Sequence, residues 1–243
     1  MFVGLRVPPG TNLKHPPFGG CTLNFTMGCR REFDSRGYRF KGYLLTINYK
    51  MYLGDLFNKY GSDKDRHGYT PIYDSLFKKI RQNEISLLEI GIGTMIEGAH
   101  SSMVGYALPG YAPGGSLRAW RDYFPRGDIC GIDVQPDTQF NEDRIITALA
   151  DSTNKEALDN ALKSKQFDII VDDGSHYDEH QLQTLENLWD RLKPGGYYII
   201  EDLQPRNRIH GEFRDRLYTF LGKTATAYFN ENKKLCIISR IEQ

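Results

Sequence analysis

Long hydrophobic runs, net charge and paired cysteines are all missing from this sequence of 243 residues. No apolar run approaches the roughly 18 residues that a membrane-spanning helix needs, and the N-terminus lacks the apolar core of a signal peptide. The formal net charge is zero, so overall charge favours neither a nucleic-acid partner nor a membrane partner. These absences predict a soluble, intracellular protein of the cytoplasm.

The cysteines are few and scattered, without a Cys-x-x-Cys pair: Cys21, Cys29, Cys130 and Cys236. This pattern disfavours structural zinc and disfavours a disulfide framework even more. Cys130 and Cys236 lie in apolar, strand-like runs, so we expect them to act as small buried hydrophobic side chains.

The charge is balanced overall but unevenly distributed. Residues 1–50 carry eight Lys and Arg against Glu32 and Asp34, a net charge of +6, so the remainder must carry −6. An acidic main domain suits a metal ion better than a phosphate backbone. With 40% hydrophobic and 26% charged residues, the chain is long enough for one domain with a full core and appendages.

Residues 1–50 also differ from the rest in being rich in Gly, Pro and Arg, with no clear period before residue 43. We predict an irregular leader there, disordered or loosely attached, and a natural start at Met51 is one version of this interpretation. A small substrate-capping or oligomerisation element is the alternative. We assign residues 51–84 to an N-terminal helical cap and residues 85–243 to the main domain.

Strand-like segments alternate with amphipathic helical segments from residue 85 onwards. The strand-like segments occupy residues 85–93, 129–134, 145–150, 167–171, 197–200, 225–229 and 235–239. The last two are joined by a short polar turn and are typical of a hairpin. The pattern predicts an α/β fold with a doubly wound, mostly parallel, seven-stranded sheet and an antiparallel C-terminal hairpin.

Acidic residues follow two of these strands directly, in the segments Asp172-Asp173-Gly-Ser-His176 and Glu201-Asp202. Open α/β sheets place their sites at the carboxyl ends of parallel strands. If the two strands share a sheet, Asp173, Glu201 and Asp202 would reach one hard cation, with His176 beside them. Carboxylates this close repel each other without a counter-charge, and a divalent ion is the simplest one.

The first strand ends in a Gly-x-Gly turn, in which Glu89 precedes Gly91 and Gly93. Glycines let a ligand approach the backbone closely. The dinucleotide fingerprint wants a third glycine where Ile96 stands, so a dehydrogenase is the weakest interpretation. The long loop over residues 94–115 is expected to form a lid over the site.

Polar residues also end the next two strands. Asp133 is well placed to accept two hydrogen bonds from a ribose diol, and Asp151 with Ser152 could meet an adenine edge. We expect Ser116 to cap the helix that follows it. The polar turn over residues 62–71 is interpreted equally well as a solvated loop or as a ligand-contacting loop.

From about residue 52 to the C-terminus, these features resemble class I S-adenosylmethionine-dependent methyltransferases. The closer likeness is to the metal-dependent sugar O-methyltransferases of macrolide biosynthesis, of the macrocin and mycinamicin type. It is carried by Tyr60-Gly-Ser-Asp-Lys64, Leu88-Glu-Ile-Gly-Ile-Gly93, Gly115-Ser-Leu-Arg-x-Trp120, Asp172-Asp-Gly-Ser-His176 and Glu201-Asp-Leu203. Those enzymes have a substantial extra N-terminal domain and a shorter loop after the Gly-x-Gly turn, so the chain departs from them in two places.

The resemblance implies S-adenosylmethionine and Mg²⁺ as cofactors, with His176 as the general base. The implied metal ligands are Asp173, Glu201 and Asp202. The implied cofactor-binding residues are Ser62, Glu89, Gly91, Gly93, Ser116, Asp133, Asp151, Ser152 and Asp173. The expected function is Mg²⁺-dependent O-methylation of a hydroxyl on a sugar or glycosylated small molecule. The partner would be that acceptor, with no nucleic acid and no membrane, and the sequence allows a homo-oligomer.

Other interpretations remain open at this stage. A phenolic or catechol acceptor would use the same metal chemistry, and a non-catalytic relative would bind the cofactor without turnover. His176 could instead start a helix, and Glu201 with Asp202 could simply end a strand. We expect His180 to lie on a helix surface, and His67 to lie in the polar turn, with substrate contact as its less favoured role.

Overall fold

The computed structural model describes residues 23–33, 39–49, 51–108, 110–204, 211–230 and 234–242. The chain divides into two compact units, residues 1–51 and 52–243. In the first unit, β1 (Leu23–Phe33) and β2 (Arg39–Tyr49) pair in antiparallel register. This regular pairing differs from the irregular leader predicted for residues 1–50, and β-favouring residues such as those in Leu-Leu-Thr-Ile explain it. The rest of that leader lies outside the described residues.

The second unit begins with two short helices, α1 (Leu53–Lys59) and α2 (Thr70–Phe77). The strands that follow in the described residues are β3 (Ser86–Ile90), β4 (Asp128–Asp133), β5 (Asn141–Glu142), β6 (Ile145–Leu149), β7 (Phe167–Asp172), β8 (Leu192–Ile200), β9 (Ala225–Asn230) and β10 (Leu235–Arg240). The helices between them are α3 (Gly115–Tyr123), α4 (Lys155–Leu162), α5 (Asp178–Leu188) and α6 (Glu212–Leu221). A separate helical cap over residues 51–84 stays a prediction.

These eight strands form one sheet in the order β5-β6-β4-β3-β7-β8-β10-β9. The five strands from β6 to β8 are parallel, whereas β5, β10 and β9 run antiparallel to their neighbours. The predicted fold class is confirmed, including the antiparallel C-terminal pair. The addition to the seven predicted strands is β5, whose two residues are too few to show a period.

Helices pack on both faces of this sheet, as neighbouring residues of β8 illustrate. Tyr198 belongs to a core cluster that includes side chains of α4, α5 and α6. The ring of Tyr197 lies 6.0 Å from that of Phe77 on α2. Trp120 of α3 joins the same aromatic group, with its ring 5.0 Å from that of Phe57 on α1. Successive strand residues face opposite ways, so the two tyrosines mark the two faces of a doubly wound sheet.

One local expectation was wrong: Ser116 does not cap α3. The helix begins at Gly115, and its N-cap is Gly114 with a left-handed φ of 85° and no side-chain cap. The Gly114 N–H donates to Ile92 O at 3.0 Å, so this turn ties the helix to the end of β3. Ser116 instead lines the cavity at the carboxyl ends of the parallel strands.

Two general expectations concern burial. Cys130 and Cys236 are buried free thiols, so their predicted role as small hydrophobic side chains is confirmed. Within the ranges that the structure describes, no helix is long and apolar enough to cross a membrane.

Candidate active site

A cavity of about 1230 Å³ opens at the carboxyl ends of the parallel strands. This is where open α/β sheets bind their ligands. It is lined by ten of the predicted site residues: Ser62, Gly91, Gly93, Ser116, Asp133, Asp151, Ser152, Asp173, His176 and Asp202. The two remaining ones, Glu89 and Glu201, are fully buried and do not line it.

The Gly-x-Gly turn after β3 is confined on two sides. Gly91 and Gly93 both have a φ of 86°, which a side chain rarely tolerates. A Cβ at Gly91 would lie 2.0 Å from the carbonyl oxygen of Asp173, and one at Gly93 would lie 2.0 Å from the hydroxyl of Tyr111. Tyr111 in turn donates a hydrogen bond of 2.7 Å to Gly93 O. Only glycine fits at either position, so the backbone itself forms this wall of the cavity.

Asp133 at the end of β4 is held by backbone donors. Its Oδ2 accepts from the N–H of Ile92 at 2.8 Å, and its Oδ1 accepts from the N–H of Gln135 at 2.9 Å. Each carboxylate oxygen can accept a second hydrogen bond. The carboxylate is therefore fixed in place with acceptor capacity left for a ligand diol.

The residues after β6 are also fixed by local bonds. Asp151 Oδ1 accepts from the N–H and the hydroxyl of Thr153, at 2.9 and 2.7 Å. The hydroxyl of Ser152 lies 2.8 Å from that of Thr184 on α5. Both residues line the cavity three strands away from β7, with β4 and β3 between, as an elongated ligand would require.

The long loop after the Gly-x-Gly turn crosses the cavity mouth. His100 Nε2 lies 2.7 Å from Ser175 O beyond β7. Arg66, in the turn between α1 and α2, donates to Tyr106 O at 3.4 Å. The loop thus contacts both sides of the mouth, in agreement with the position expected of a lid.

Asp173, His176 and Asp202 each offer a ligand atom, and these atoms all lie within 4.8 Å of one another. Nδ1 of His176 is buried and has no hydrogen-bond partner among the residues that the structure describes. Buried polar atoms are nearly always paired, so an orphaned nitrogen beside two carboxylates indicates a missing partner. This donor set fits a divalent cation, which carboxylate oxygens bind well.

The backbone at this group is strained in a way that indicates function. His176 and Asp202 have φ values of 58° and 50°, in the left-handed region. Asp and His enter this region more readily than most residues, yet such conformations persist mainly where the surroundings enforce them, and they cluster at active sites. They turn the chain sharply just after β7 and β8, where the ligand atoms converge.

Glu201 does not join this group, although the sequence interpretation placed it there. Its Oε2 accepts from Lys64 Nζ at 2.8 Å, and its Oε1 accepts from the hydroxyl of Tyr73. Burial raises the pKa of the Glu201 carboxyl well above its usual value. Glu201 directly follows β8 and its N–H still donates to Asp172 O, whereas Asp202 has a left-handed φ of 50°, so adjacent carboxylates point to different neighbours.

Lys64 is the site residue that the sequence interpretation missed. Its Nζ lies 2.6 Å from Asp173, 2.8 Å from Glu201 and 3.1 Å from Glu89, and the residue is only 2% exposed. Burial opposes the charged form, but the three carboxylates outweigh it and raise the Lys64 pKa well above its usual value. A lysine therefore supplies part of the counter-charge that the sequence assigned to a metal ion. It lies in the polar turn, but 109 residues separate it from Asp173.

Asp202 is stabilised as an anion by two neighbours from the same turn. The Tyr69 hydroxyl donates to Asp202 Oδ1 at 2.6 Å, and His67 Nδ1 lies 3.7 Å from the same oxygen. Burial opposes ionisation, but the nearby His67 ring and the hydrogen bond from Tyr69 outweigh it and lower the Asp202 pKa. The nearby Asp202 carboxylate raises the pKa of His67. His67 lines the cavity, so substrate contact by His67 stays a prediction.

The doubly wound sheet, its antiparallel C-terminal pair and the cavity after the Gly-x-Gly turn define a class I methyltransferase fold. Residues 98–203 match the family model described as a methyltransferase domain. The resemblance to macrolide sugar O-methyltransferases is confirmed by the relatives that the chain matches.

Two curated relatives show the likeness in sequence. Demethylmacrocin O-methyltransferase of Streptomyces fradiae is 38% identical over 154 residues, which cover 62% of this chain and 36% of that protein. The 8-demethyl-8-alpha-L-rhamnosyl tetracenomycin-C 2'-O-methyltransferase of Streptomyces olivaceus is 38% identical over 154 residues, covering 63% and 38%. The chain thus spans less than two-fifths of the length of these relatives.

A solved structure shows the likeness in three dimensions. The MycE methyltransferase from the mycinamycin biosynthetic pathway, in complex with Mg, SAH and mycinamycin VI, superposes with a TM-score of 0.63 at 26% identity. The match covers 79% of this chain and 55% of that chain.

Proposed function

We propose that this chain is the catalytic domain of an S-adenosylmethionine-dependent, Mg²⁺-dependent O-methyltransferase that acts on a hydroxyl of a sugar or glycosylated small molecule. The observation that carries the proposal is the convergence of Asp173, His176 and Asp202 beside the Gly-x-Gly turn. The names of the curated relatives support the acceptor class. The Mg and SAH of the MycE complex support the choice of cofactors.

The cofactor would occupy the cavity wall formed by β3, β4 and β6. Asp133 would accept hydrogen bonds from the ribose diol, while Asp151 and Ser152 would meet the adenine edge. The remaining predicted positions would also contribute to the cofactor site: Ser62, Glu89, Gly91, Gly93, Ser116 and Asp173. The cavity of about 1230 Å³ exceeds the ~300–1,000 Å³ of a single-ligand pocket, which supports room for an acceptor beside the cofactor. When bound, S-adenosylmethionine supplies the methyl group.

Asp173 and Asp202 would hold the cation through carboxylate oxygens, which Mg²⁺ prefers. When bound, Mg²⁺ supplies positive charge that lowers the pKa of nearby hydroxyls. Glu201, the third predicted ligand, is engaged by Lys64 and Tyr73 and is buried behind the other two.

His176 would act as the general base. A sugar hydroxyl is a poor nucleophile at neutral pH because its proton is held tightly, and removing that proton contributes about 10²–10⁴-fold to a rate. The Nδ1 of His176 has no hydrogen-bond partner among the described residues, so this atom is open to a substrate hydroxyl. The cavity walls would add to the rate by holding hydroxyl and methyl donor in contact.

Methyl transfer from labelled S-adenosylmethionine, measured with and without Mg²⁺, tests this function. The purified chain is offered glycosides with neighbouring hydroxyls and, separately, catechols. We expect transfer to a glycoside that is lost in EDTA. Transfer to catechols alone would favour the phenolic alternative. Cofactor binding without turnover on either set would favour a non-catalytic relative.

A further inference from the structure

Lys64 connects the ends of three neighbouring strands. Its ammonium contacts Glu89 in β3, Asp173 after β7 and Glu201 after β8, at distances between 2.6 and 3.1 Å. The lysine comes from the turn between α1 and α2. It therefore reaches the carboxyl ends of these strands from a segment that is not part of the sheet. Tyr73 and Trp120 donate to two of these carboxylates, which fixes the arrangement further.

We propose that Lys64 is a positioning residue that acts as a built-in counter-ion: it holds the acidic strand ends together when no cation is bound and competes with a divalent cation for Asp173. The proposal rests on the metal site of the proposed function. It concerns how tightly that site binds its cation, which the identity of the ligands alone does not determine.

The balance of charges at the site allows Lys64 and a divalent cation to compete for the same carboxylates. Glu89, Asp173, Glu201 and Asp202 carry four potential negative charges, and Lys64 is the ammonium within hydrogen-bond distance of the first three. His67 and Lys234 face Asp202 from further away, at 3.7 and 3.8 Å. Removing one partner of a buried ion pair leaves an uncompensated charge, so the strand ends need Lys64 when no cation is present.

Asp173 is the shared residue. It contacts Lys64 through Oδ2 at 2.6 Å and also belongs to the group of three potential metal ligands. A cation on Asp173 would be repelled by an ammonium this close, and inside a protein that repulsion is weakly screened. If Lys64 only stabilised the fold, its loss would have the opposite effect on cation affinity, because the ligands would become disordered and metal binding would weaken.

The test compares the full chain with its Lys64→Met variant, using Mn²⁺ alone as the probe and electron paramagnetic resonance to count free ion. Methionine keeps the length of the side chain without its charge. We expect K64M to bind Mn²⁺ roughly tenfold tighter than the unsubstituted chain or more. We also expect K64M to melt at a lower temperature in EDTA and to regain most of that loss with Mn²⁺.

Two further variants isolate the charge. Lys193 forms an ion pair of 2.8 Å with Asp168 at the opposite end of β7, so K193M loses a lysine–carboxylate pair without touching the site; its Mn²⁺ affinity should be unchanged. In the double variant K64M/E201Q, a negative charge leaves with the positive one. Its melting temperature in EDTA should exceed that of K64M.

Each outcome distinguishes this proposal from the function on which it rests. Equal or weaker Mn²⁺ binding by a folded K64M would overturn the role of Lys64 and leave the metal site standing. Binding by neither protein would overturn the metal site itself. A K64M chain that folds only with Mn²⁺ would support replacement of one counter-charge by the other. A chain that fails to fold with or without Mn²⁺, while K64M/E201Q folds no better, would contradict it.

Discussion

The indole Nε1 of Trp120 donates a hydrogen bond of 2.9 Å to Oε2 of Glu89, and both side chains are fully buried. Trp120 is a core residue of α3. Its polar atom has a second task, because it satisfies a carboxylate that also contacts Lys64. The aromatic cluster and the acidic site are therefore one connected structure.

Trp120→Phe should destabilise the fold by about 3 kcal/mol, because it leaves a cavity and removes a donor from a buried carboxylate. Urea unfolding followed by circular dichroism measures this loss. Phe124→Leu is the matched control: it alters a fully buried ring of the same helix region that carries no polar atom, and should cost about 1 kcal/mol. Equal losses in the two variants would show that the bond to Glu89 is unimportant.

Gly93→Ala should weaken binding of S-adenosylhomocysteine by roughly tenfold or more, because the new Cβ would meet the Tyr111 hydroxyl and displace the turn. Isothermal titration calorimetry gives the dissociation constant. Gly105→Ala has a similar positive φ, 84°, but its Cβ would enter open space, so it isolates the collision from the backbone strain. Similar affinities for the two variants would contradict the proposed role of the turn.

Asp133→Asn should also weaken binding of S-adenosylhomocysteine, by about tenfold, because an amide nitrogen replaces one acceptor oxygen. Asp137→Asn provides the comparison: Asp137 likewise accepts from backbone, at Met95 N, but does not line the cavity. Calorimetry on both variants separates loss of a ligand contact from loss of a loop contact. A larger effect at Asp137 would remove Asp133 from the ribose site.

His176→Ala should lower kcat by about 10²-fold or more while leaving the affinity for S-adenosylhomocysteine unchanged. Labelled-methyl transfer and calorimetry provide the two values. His180→Ala is the control, since its Nδ1 contacts the Ser175 hydroxyl at the start of α5 and not the acidic group. Retained transfer by H176A would exclude His176 as the base.

The fold was predictable because its signals are local. Each strand of the parallel centre contains a short apolar run, and the structure has β7 (Phe167–Asp172) and β6 (Ile145–Leu149) within a residue of their predicted ends. The edge strand β5 was harder to predict from the sequence, since it has only two residues. The hairpin of β1 and β2 was missed because the surrounding Gly, Pro and Arg obscured its β-favouring residues.

The site was predictable to the extent that it depends on strand ends. Asp173 and Asp202 follow adjacent parallel strands, so topology alone brings them together. The partner of Glu201 was not predictable, because Lys64 lies 137 residues away and no local pattern pairs them. The prediction that Ser116 caps α3 was wrong for a different reason: Gly114, in a left-handed conformation, is the N-cap residue.

We propose that Asp173 and Asp202 hold one cation on which methyl transfer depends. The most direct test titrates Mg²⁺ into EDTA-treated protein during transfer of labelled methyl to a glycoside, for the unsubstituted chain and for Asp202→Asn. We expect the unsubstituted chain to rise from background with Mg²⁺, and D202N to stay at background or to need roughly tenfold more Mg²⁺. Full transfer in EDTA, or identical titrations for the two proteins, would show that methyl transfer does not depend on a cation held by these two carboxylates.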